Sequence, residues 1–266
     1  MLFARIISAV IGIPLILFCI YFGRILFCTM MFTVSMLSVY EYFNMLKKYK
    51  PNPFVSLVMA AGFFLILCFC ESFGCMDKVL IAVFLMLLTL FSIELFNGNT
   101  ELSIERIATS FLGIFFIPLA FVHMVYIRGL NCGMQLVFFI FIEVWVLDTA
   151  AYAFGYIFGK HKLAKEISPK KTVEGAVAGT IFGIFAALAC RYLFMRNILS
   201  IYESLILGLF ISISGQFSDL AESLIKRDGN VKDSGRLIPG HGGVFDRFDS
   251  YLFTAPVVYY VLTFIK

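Results

Sequence analysis

The chain has 266 residues, of which 61% are hydrophobic and only 14% are charged, with a formal net charge of +4. Soluble domains contain about 45–50% apolar and about 25% charged residues, so this composition excludes a soluble fold, a disordered chain and a collagen-like fibre. The sequence therefore predicts an all-α integral membrane protein.

Apolar segments separated by charged residues give about nine candidate transmembrane helices. A span needs about 20 residues, and several segments are shorter, so tilt or local thinning would have to absorb the mismatch. The first segment could be a signal peptide, but no small-residue cleavage site stands out, and we interpret it as a retained span. In chain order the candidates are Ile6–Gly23, Ile25–Tyr40, Phe54–Cys70, Val79–Ile93, Ile107–Ile127, Met134–Phe158, Val173–Cys190, Ile198–Phe217 and Tyr251–Ile265.

The distribution of Lys and Arg predicts the orientation of these segments. With nine spans, 15 basic residues fall on the face that carries the N-terminus and 6 fall on the other face. Cytoplasmic loops are enriched in Lys and Arg, so the N-terminus is predicted to be cytoplasmic. We expect residues 1–130 to form N-terminal transmembrane helices (about five spans). Residues 131–266 would form a catalytic region with cytoplasmic loops 159–172 and 218–250.

Polar residues continue the eighth span in a helical pattern. They recur at intervals of three and four and therefore share one helix face: Gln216, Asp219, Glu222 or Ser223, and Lys226. A carboxylate near the bilayer is costly unless it is paired or metal-bound, which makes Asp219 a functional candidate. Lys226 and Arg227 have an alternative explanation as interfacial anchors.

A segment rich in Gly and Pro follows, from Asp228 to Gly243, and no regular element is expected in it. Glycines let the backbone approach an anionic ligand and turn its amides toward it. Lys232 and Arg236 add positive charge to the segment. A flexible loop would have the same composition, so the segment alone is weak evidence for phosphate binding.

Two aspartates, Asp246 and Asp249, directly precede the last span. Their spacing would stack them on one helical face. Such a pair suits Mg²⁺, which takes one or two carboxylates together with substrate phosphates. Acidic residues at a helix start also interact favourably with the helix dipole, which is the alternative explanation.

The sixth loop ends in a polar and basic run: Ser168, Pro169, Lys170, Lys171 and Thr172. Ser168 is a suitable N-cap and Pro169 suits the first helical position, so the seventh helix is predicted to begin here. Lys170 and Lys171 would then lie in its first turn, where they would suit a bound anion. Anchoring to anionic lipid headgroups is an equal alternative. Glu174 could pair with one lysine or lie near a metal.

The sixth span itself contains Glu143 and Asp148, with Tyr152 one turn farther on. An intramembrane carboxylate is a functional candidate by default, and Asp148 lies toward the predicted cytoplasmic end. For Glu143, Glu203 and His123 we favour roles as buried structural partners. Together, the acidic residues, basic loops and Gly-rich turn predict a polyphosphate site on one membrane face, reachable by lipid from the side.

The stretch from Ser223 to Asp249 resembles the signature of the phosphatidate cytidylyltransferase (CDP-diacylglycerol synthase) family. The runs Asp148–Tyr152 and Ser168–Gly175 are also similar to that family, so the resemblance covers mainly residues 143–266. The fixed residues of the signature fall here, without departure, on Ser223, Lys226, Arg227, Lys232, Asp233, Gly235, Ile238, Pro239, His241, Gly242, Gly243, Val244, Asp246, Arg247 and Asp249.

This resemblance implies a homodimeric membrane enzyme that condenses CTP with phosphatidic acid to CDP-diacylglycerol and pyrophosphate. It also implies a two-metal site with Mg²⁺ and a second ion such as K⁺, whose aspartates correspond to Asp219 and Asp246, with Asp249 close by. The catalytic candidates are Asp219, Asp246, Asp249, Lys226, Arg227 and His241. The substrate-binding candidates are Asp148, Tyr152, Ser168, Lys170, Lys171, Thr172, Glu174, Lys232, Asp233, Arg236, Gly242, Gly243 and Arg247.

The expected location is a bacterial cytoplasmic (inner) membrane with the site facing the cytoplasm, and no nucleic-acid partner is expected. Two other functions stay open. A CTP-using polyprenol kinase would share the metals but transfer the γ-phosphoryl group. A transporter or channel could use Glu143, Asp148 and Glu203, but the charges cluster on one face and no inverted repeat is evident.

Overall fold

The computed structural model describes residues 2–70, 76–240 and 242–265. Most of the described chain is helical, because in lipid a helix satisfies its own backbone hydrogen bonds. A 3₁₀ turn at Lys47–Tyr49 follows α2, and a π-helical turn at Arg191–Met195 follows α7. The helices are α1 (Leu2–Tyr21), α2 (Arg24–Met45), α3 (Pro53–Phe69), α4 (Met76–Asn97), α5 (Ser103–Gly129), α6 (Gly133–Phe158), α7 (Val173–Cys190), α8 (Ile201–Asp228), α9 (Phe245–Phe248) and α10 (Tyr251–Ile265).

Each predicted apolar segment corresponds to one of the longer helices, which confirms a helical membrane protein. Within the described ranges, six helices are long and apolar enough to cross a membrane: Arg24–Met45, Met76–Asn97, Ser103–Gly129, Gly133–Phe158, Val173–Met195 and Ile201–Asp228. Two further apolar helices, Val10–Tyr21 and Pro53–Phe69, are shorter.

The bundle is organised around α5, which packs against α2, α3 and α10, and around α6, which packs most extensively on α7. Glycines bring α6 and α7 close together. A Cβ atom on Gly175 would lie 2.6 Å from the Ala151 carbonyl oxygen and 3.0 Å from Gly155 Cα. Small residues allow such close helix approach in membranes. This contact brings the C-terminal half of α6 beside the start of α7.

Three polar residues assigned to structural roles have distinct surroundings. Glu143 is fully buried, with Ser212 as a polar neighbour, and His123 is 3% exposed. The Nδ1 atom of His123 lies 2.6 Å from the Leu119 carbonyl oxygen. Glu203 is not buried. Its carboxylate accepts a hydrogen bond from the Ser200 amide in a capping box at the start of α8.

The loop from 159 to 172 is a β-hairpin rather than an irregular loop. Strands β1 (Lys162–Ala164) and β2 (Ser168–Thr172) pair antiparallel. The prediction that Ser168 caps α7 is wrong, because α7 begins at Val173 and the Thr172 hydroxyl accepts from the Gly175 amide at 3.2 Å. Lys170 and Lys171 therefore lie in β2. Pro169 suits a small sheet edge as well as a helix start, so the local pattern was ambiguous.

Helix α8 continues through Asp228, as the spacing of polar residues from Gln216 to Lys226 predicts. The irregular part of the loop expected at 218–250 therefore starts only at Gly229. Lys226 and Arg227 lie in the last turn of α8, where cations interact favourably with the helix dipole. The polar face of α8 thereby extends beyond its apolar part as one rigid element.

Candidate active site

Carboxyl groups from three parts of the chain meet at the end of α8. One oxygen from each of Asp219, Glu222 and Asp249 lies within 4.8 Å of the others. Asp148 on α6 lies next to Ser250 and interacts electrostatically with Asp219. The structure thus brings together predicted residues from the sixth span, the eighth span and the segment before α10.

The crowding of these carboxyl groups disfavours their ionised forms. Burial raises the pKa of Asp249 well above its usual range, and the charges of Asp219, Glu222 and Asp148 raise it further. Carboxylates at such close range repel one another unless they share a proton or a cation. Their oxygens are also the ligands that a hard divalent cation prefers, so the donor set fits Mg²⁺.

The hairpin contributes a cation to this cluster. Lys171 on β2 places its Nζ 2.6 Å from Asp219 Oδ2. At the end of α8, the Arg227 Nε donates a hydrogen bond to the Ile167 carbonyl oxygen at 2.9 Å. The hairpin is therefore held against α8 at two points. One of them pairs a predicted substrate-binding lysine with a predicted metal ligand.

Lys226 lies between two acidic groups. Its Nζ is 2.5 Å from Glu222 Oε2 and 2.9 Å from Asp246 Oδ1, and its side chain is only 13% exposed. This environment favours a role inside the site over that of an interfacial anchor. Lys226 is the link between the carboxylate cluster and Asp246.

Asp246 lies in the four-residue helix α9, and Asp249 follows as its C-cap with helical backbone angles, so the predicted helical spacing is present. The two carboxylates nevertheless have different partners, and the carboxylate of Asp246 turns toward Lys226. Its Oδ2 accepts the amide N–H groups of Ser234 and Gly243, both at 2.9 Å. Burial opposes ionisation of Asp246, but the Gly243 amide, Lys226 and the Ser234 amide outweigh it and lower its pKa below the usual value.

Glu41 on α2 also contacts the site, although it was not among the residues predicted from the sequence. Glu41 is 1% exposed. Its Oε1 accepts the Val244 amide at 3.0 Å, and its Oε2 accepts the Phe245 amide at 2.9 Å and the Ser234 hydroxyl at 2.8 Å. The available signal was a single carboxylate at the end of an otherwise apolar span, which is unusual in a membrane protein.

The remaining candidates are spread around this centre. Glu174 neither pairs with a lysine nor joins the cluster, because its carboxylate accepts the backbone amides of Lys160 and His161. Gly242 has a φ of +84°, a conformation that favours glycine. His241 lies outside the described residues. The candidates with exposed side chains are Asp148, Tyr152, Lys170, Arg227, Lys232, Asp233, Arg236 and Arg247.

Comparison with known proteins places the whole chain in one group. The sequence profile of the Cytidylyltransferase family matches residues 3–265. A phosphatidate cytidylyltransferase of Bacillus subtilis is 35% identical over 97% of this chain and 96% of its own length. One of Staphylococcus saprophyticus is 47% identical over 47% of this chain and 48% of its own length. One of Staphylococcus haemolyticus is 44% identical over the same shares.

Proposed function

The chain belongs to the cytidylyltransferase family, and from this membership we propose that it transfers CMP from CTP to phosphatidic acid, giving CDP-diacylglycerol and pyrophosphate. The observation that carries the proposal is the cluster of Asp219, Glu222 and Asp249, with Lys171 and Lys226 ion-paired at its edge. A site that binds a nucleoside triphosphate and a phosphomonoester together needs carboxylates to hold a cation and lysines to bind phosphates.

The chemistry demands positioning and charge neutralisation. A phosphatidate oxygen forms a bond to the α-phosphorus of CTP, and the bond from that phosphorus to pyrophosphate breaks. Phosphatidate is already anionic at neutral pH, so no strong general base is required. Lys171 and Lys226 can exchange their present carboxylate partners for phosphate oxygens. Held in line at such a site, the two substrates react within one complex.

The residues that would hold Mg²⁺ are Asp219 and Asp249, with Glu222 as the third donor. When bound, Mg²⁺ neutralises phosphate charge and stabilises the leaving pyrophosphate. The family resemblance adds Asp246 and a second ion such as K⁺. What supports this addition is the short path of ion pairs that joins Glu222 to Asp246 through Lys226.

The exposed candidates would serve the substrates around this centre. We propose that Lys170, Lys232, Arg236 and Arg247 neutralise the outer phosphates, and that His241 donates to a phosphate oxygen. Tyr152 is 78% exposed on the same half of α6 as Asp148, where a lipid substrate can reach it from the side. These roles extend the cluster to a full binding site for CTP and phosphatidic acid.

The membrane setting completes the proposal. Residues 1–130 and 131–266 would together form nine spans in a bacterial cytoplasmic membrane, with the N-terminus and the site facing the cytoplasm. The bias of 15 to 6 basic residues supports this orientation, because cytoplasmic loops are enriched in Lys and Arg. The site would then face the compartment that contains CTP and Mg²⁺. The assembled enzyme is proposed to be a homodimer.

Product analysis tests the proposal. Purified protein in detergent receives phosphatidic acid, CTP and Mg²⁺, and the lipid products are identified by mass spectrometry while pyrophosphate is measured in water. We expect CDP-diacylglycerol and pyrophosphate in equal amounts, and neither product with EDTA. A phosphorylated lipid with free CDP would replace the proposal with a kinase. Folded protein that turns over no lipid would overturn it.

A further inference from the structure

We infer that Glu41, on helix α2 in the N-terminal half, is a positioning residue for the active site in the C-terminal half. The inference rests on the proposed function and assigns a task to the region whose sequence carries no part of the family signature. Glu41 would act by fixing the backbone that presents Asp246.

The surroundings of Glu41 are unusual for an acidic residue. Its side chain is almost fully buried, and within the described ranges no ion pair involves it. A buried charge is costly, and replacing one by a well-packed apolar residue is often neutral or stabilising. Three hydrogen-bond donors compensate Glu41 here, and all three belong to the segment between α8 and α10. The arrangement therefore serves that segment.

The Glu41 carboxylate binds this loop at two places, at Ser234 and at Val244–Phe245. The amides of Val244 and Phe245, which directly precede Asp246, donate to separate oxygens of Glu41. The Ser234 hydroxyl lies 2.8 Å from Glu41 Oε2 and 3.0 Å from Asp246 Oδ2, so it contacts both carboxylates. A movement of the Glu41 side chain would therefore displace Asp246 and, through Lys226, the carboxylate cluster.

Two glycines allow the loop to wrap this closely. A Cβ atom on Gly235 would lie 2.5 Å from Glu41 Oε1, and a Cβ on Gly243 would overlap both Glu41 Oε2 and Ser234 Oγ. Larger residues at positions 235 and 243 would therefore collide with the Glu41 side chain. The loop closes around a side chain contributed by α2.

The test compares Glu41→Gln with Ser38→Ala. Glutamine has the same shape, but its NH₂ group must face an N–H donor, so at least one hydrogen bond is lost. We expect kcat to fall about 10-fold or more and the Mg²⁺ concentration for half-maximal activity to rise, while the lost hydrogen bond lowers the melting temperature by only a few degrees. Ser38 is buried one turn earlier on α2, and its hydroxyl has no hydrogen-bond partner among the described residues, so its replacement should leave activity unchanged.

A second measurement separates positioning from folding and from the reaction itself. Mn²⁺ binding, followed by electron paramagnetic resonance, should weaken about fivefold or more in Glu41→Gln and stay unchanged in Ser38→Ala. Ser234→Ala and the double variant complete a cycle, in which the losses in kcat should be non-additive because both residues act through one contact.

The outcomes are distinguishable. If the unaltered protein makes no CDP-diacylglycerol, the proposed function fails, and Mn²⁺ binding still reports on Glu41. Glu41→Gln with unaltered kcat and Mn²⁺ affinity overturns the inference. An activity loss that merely follows the amount of unfolded protein overturns it as well.

Discussion

At the scale of single residues, the site is governed by the distances between like charges. Asp249 is flanked by Asp219 and Glu222, while Asp246 has drawn away to Lys226 and two backbone amides. Asp249 therefore has a raised pKa and Asp246 a lowered pKa, although only two residues separate them. The first suits a cation, and the second holds a lysine in place.

The first prediction concerns Asp249→Asn. Removing one of several crowded carboxylates relieves repulsion, so in EDTA the variant should melt no lower than the unaltered protein. Its Mg²⁺-dependent turnover should fall about 100-fold or more, because a metal donor is lost. Asp77→Asn, at an exposed position in the first turn of α4, is the matched control and should keep full turnover. Equal turnover in the two variants would remove Asp249 from the site.

The second prediction concerns Gly243→Ala. The added methyl group would overlap Ser234 and Glu41, so the loop must shift. We expect about a 10-fold loss of turnover and about 1–3 kcal/mol of destabilisation, as for other overpacked positions. In Gly62→Ala on α3, a Cβ would meet nothing within 4 Å, so neither the turnover nor the free energy of unfolding should fall. Full activity in Gly243→Ala would show that the loop tolerates displacement.

That Asp219, Lys226 and Asp249 belong to one cluster could be predicted from the sequence, because they fall at informative spacings beside the membrane. Their partners could not be predicted. Glu41 is 203 residues from the Val244 amide that it binds, and no local pattern links the two. The orientation of Asp246 depends in the same way on Lys226, which lies a full loop earlier in the chain.

At the scale of elements, rigid pieces bring the site together: α6 with Asp148, α8 with Asp219, and the hairpin with Lys171. The long helices were predictable, since apolar runs and flanking charges reflect the thickness of the bilayer. The hairpin was not, since Ser168-Pro169 is compatible with a helix start and only pairing with β1 decides between the two.

The third prediction tests the contact between α6 and α7. In Gly175→Ala, the new methyl group would meet the backbone at the Ala151 carbonyl, which cannot move aside cheaply. We expect the melting temperature to fall by several degrees and turnover to fall with it, because Asp148 and the hairpin separate. Thermal unfolding and kcat are measured on the same preparation, again beside Gly62→Ala. A melting temperature equal to that of the control would mean that the helices are not in close contact there.

At the scale of the whole molecule, the described helices form a bundle with the acidic cluster at one end. An ion pair between Lys48 and Asp228, with Nζ and Oδ1 2.8 Å apart, joins the turn after α2 to the end of α8 on that same side. The two halves of the chain are therefore joined where the reaction is proposed to occur. The N-terminal helices provide Glu41 and Lys48 in addition to lipid-facing surface.

The fourth prediction tests which side of the membrane carries the site. A membrane-impermeant maleimide should label Cys132, which is exposed between α5 and α6, in intact cells. A cysteine introduced at Asn230 should react only after the membrane is opened, and Cys190, which is buried, should react in neither case. Labelled peptides are identified by mass spectrometry. Reaction of the Asn230→Cys variant in intact cells would reverse the proposed orientation.

Cytidylyl transfer and phosphoryl transfer can be told apart by following two phosphorus atoms of CTP. Purified protein receives phosphatidic acid, Mg²⁺ and CTP labelled separately at the α- and γ-phosphorus. We expect the α-label to enter the lipid phase while an equal amount of γ-label appears in water as pyrophosphate. If the γ-label enters the lipid, or if both labels stay in CTP although the protein is folded, the enzyme is not a phosphatidate cytidylyltransferase.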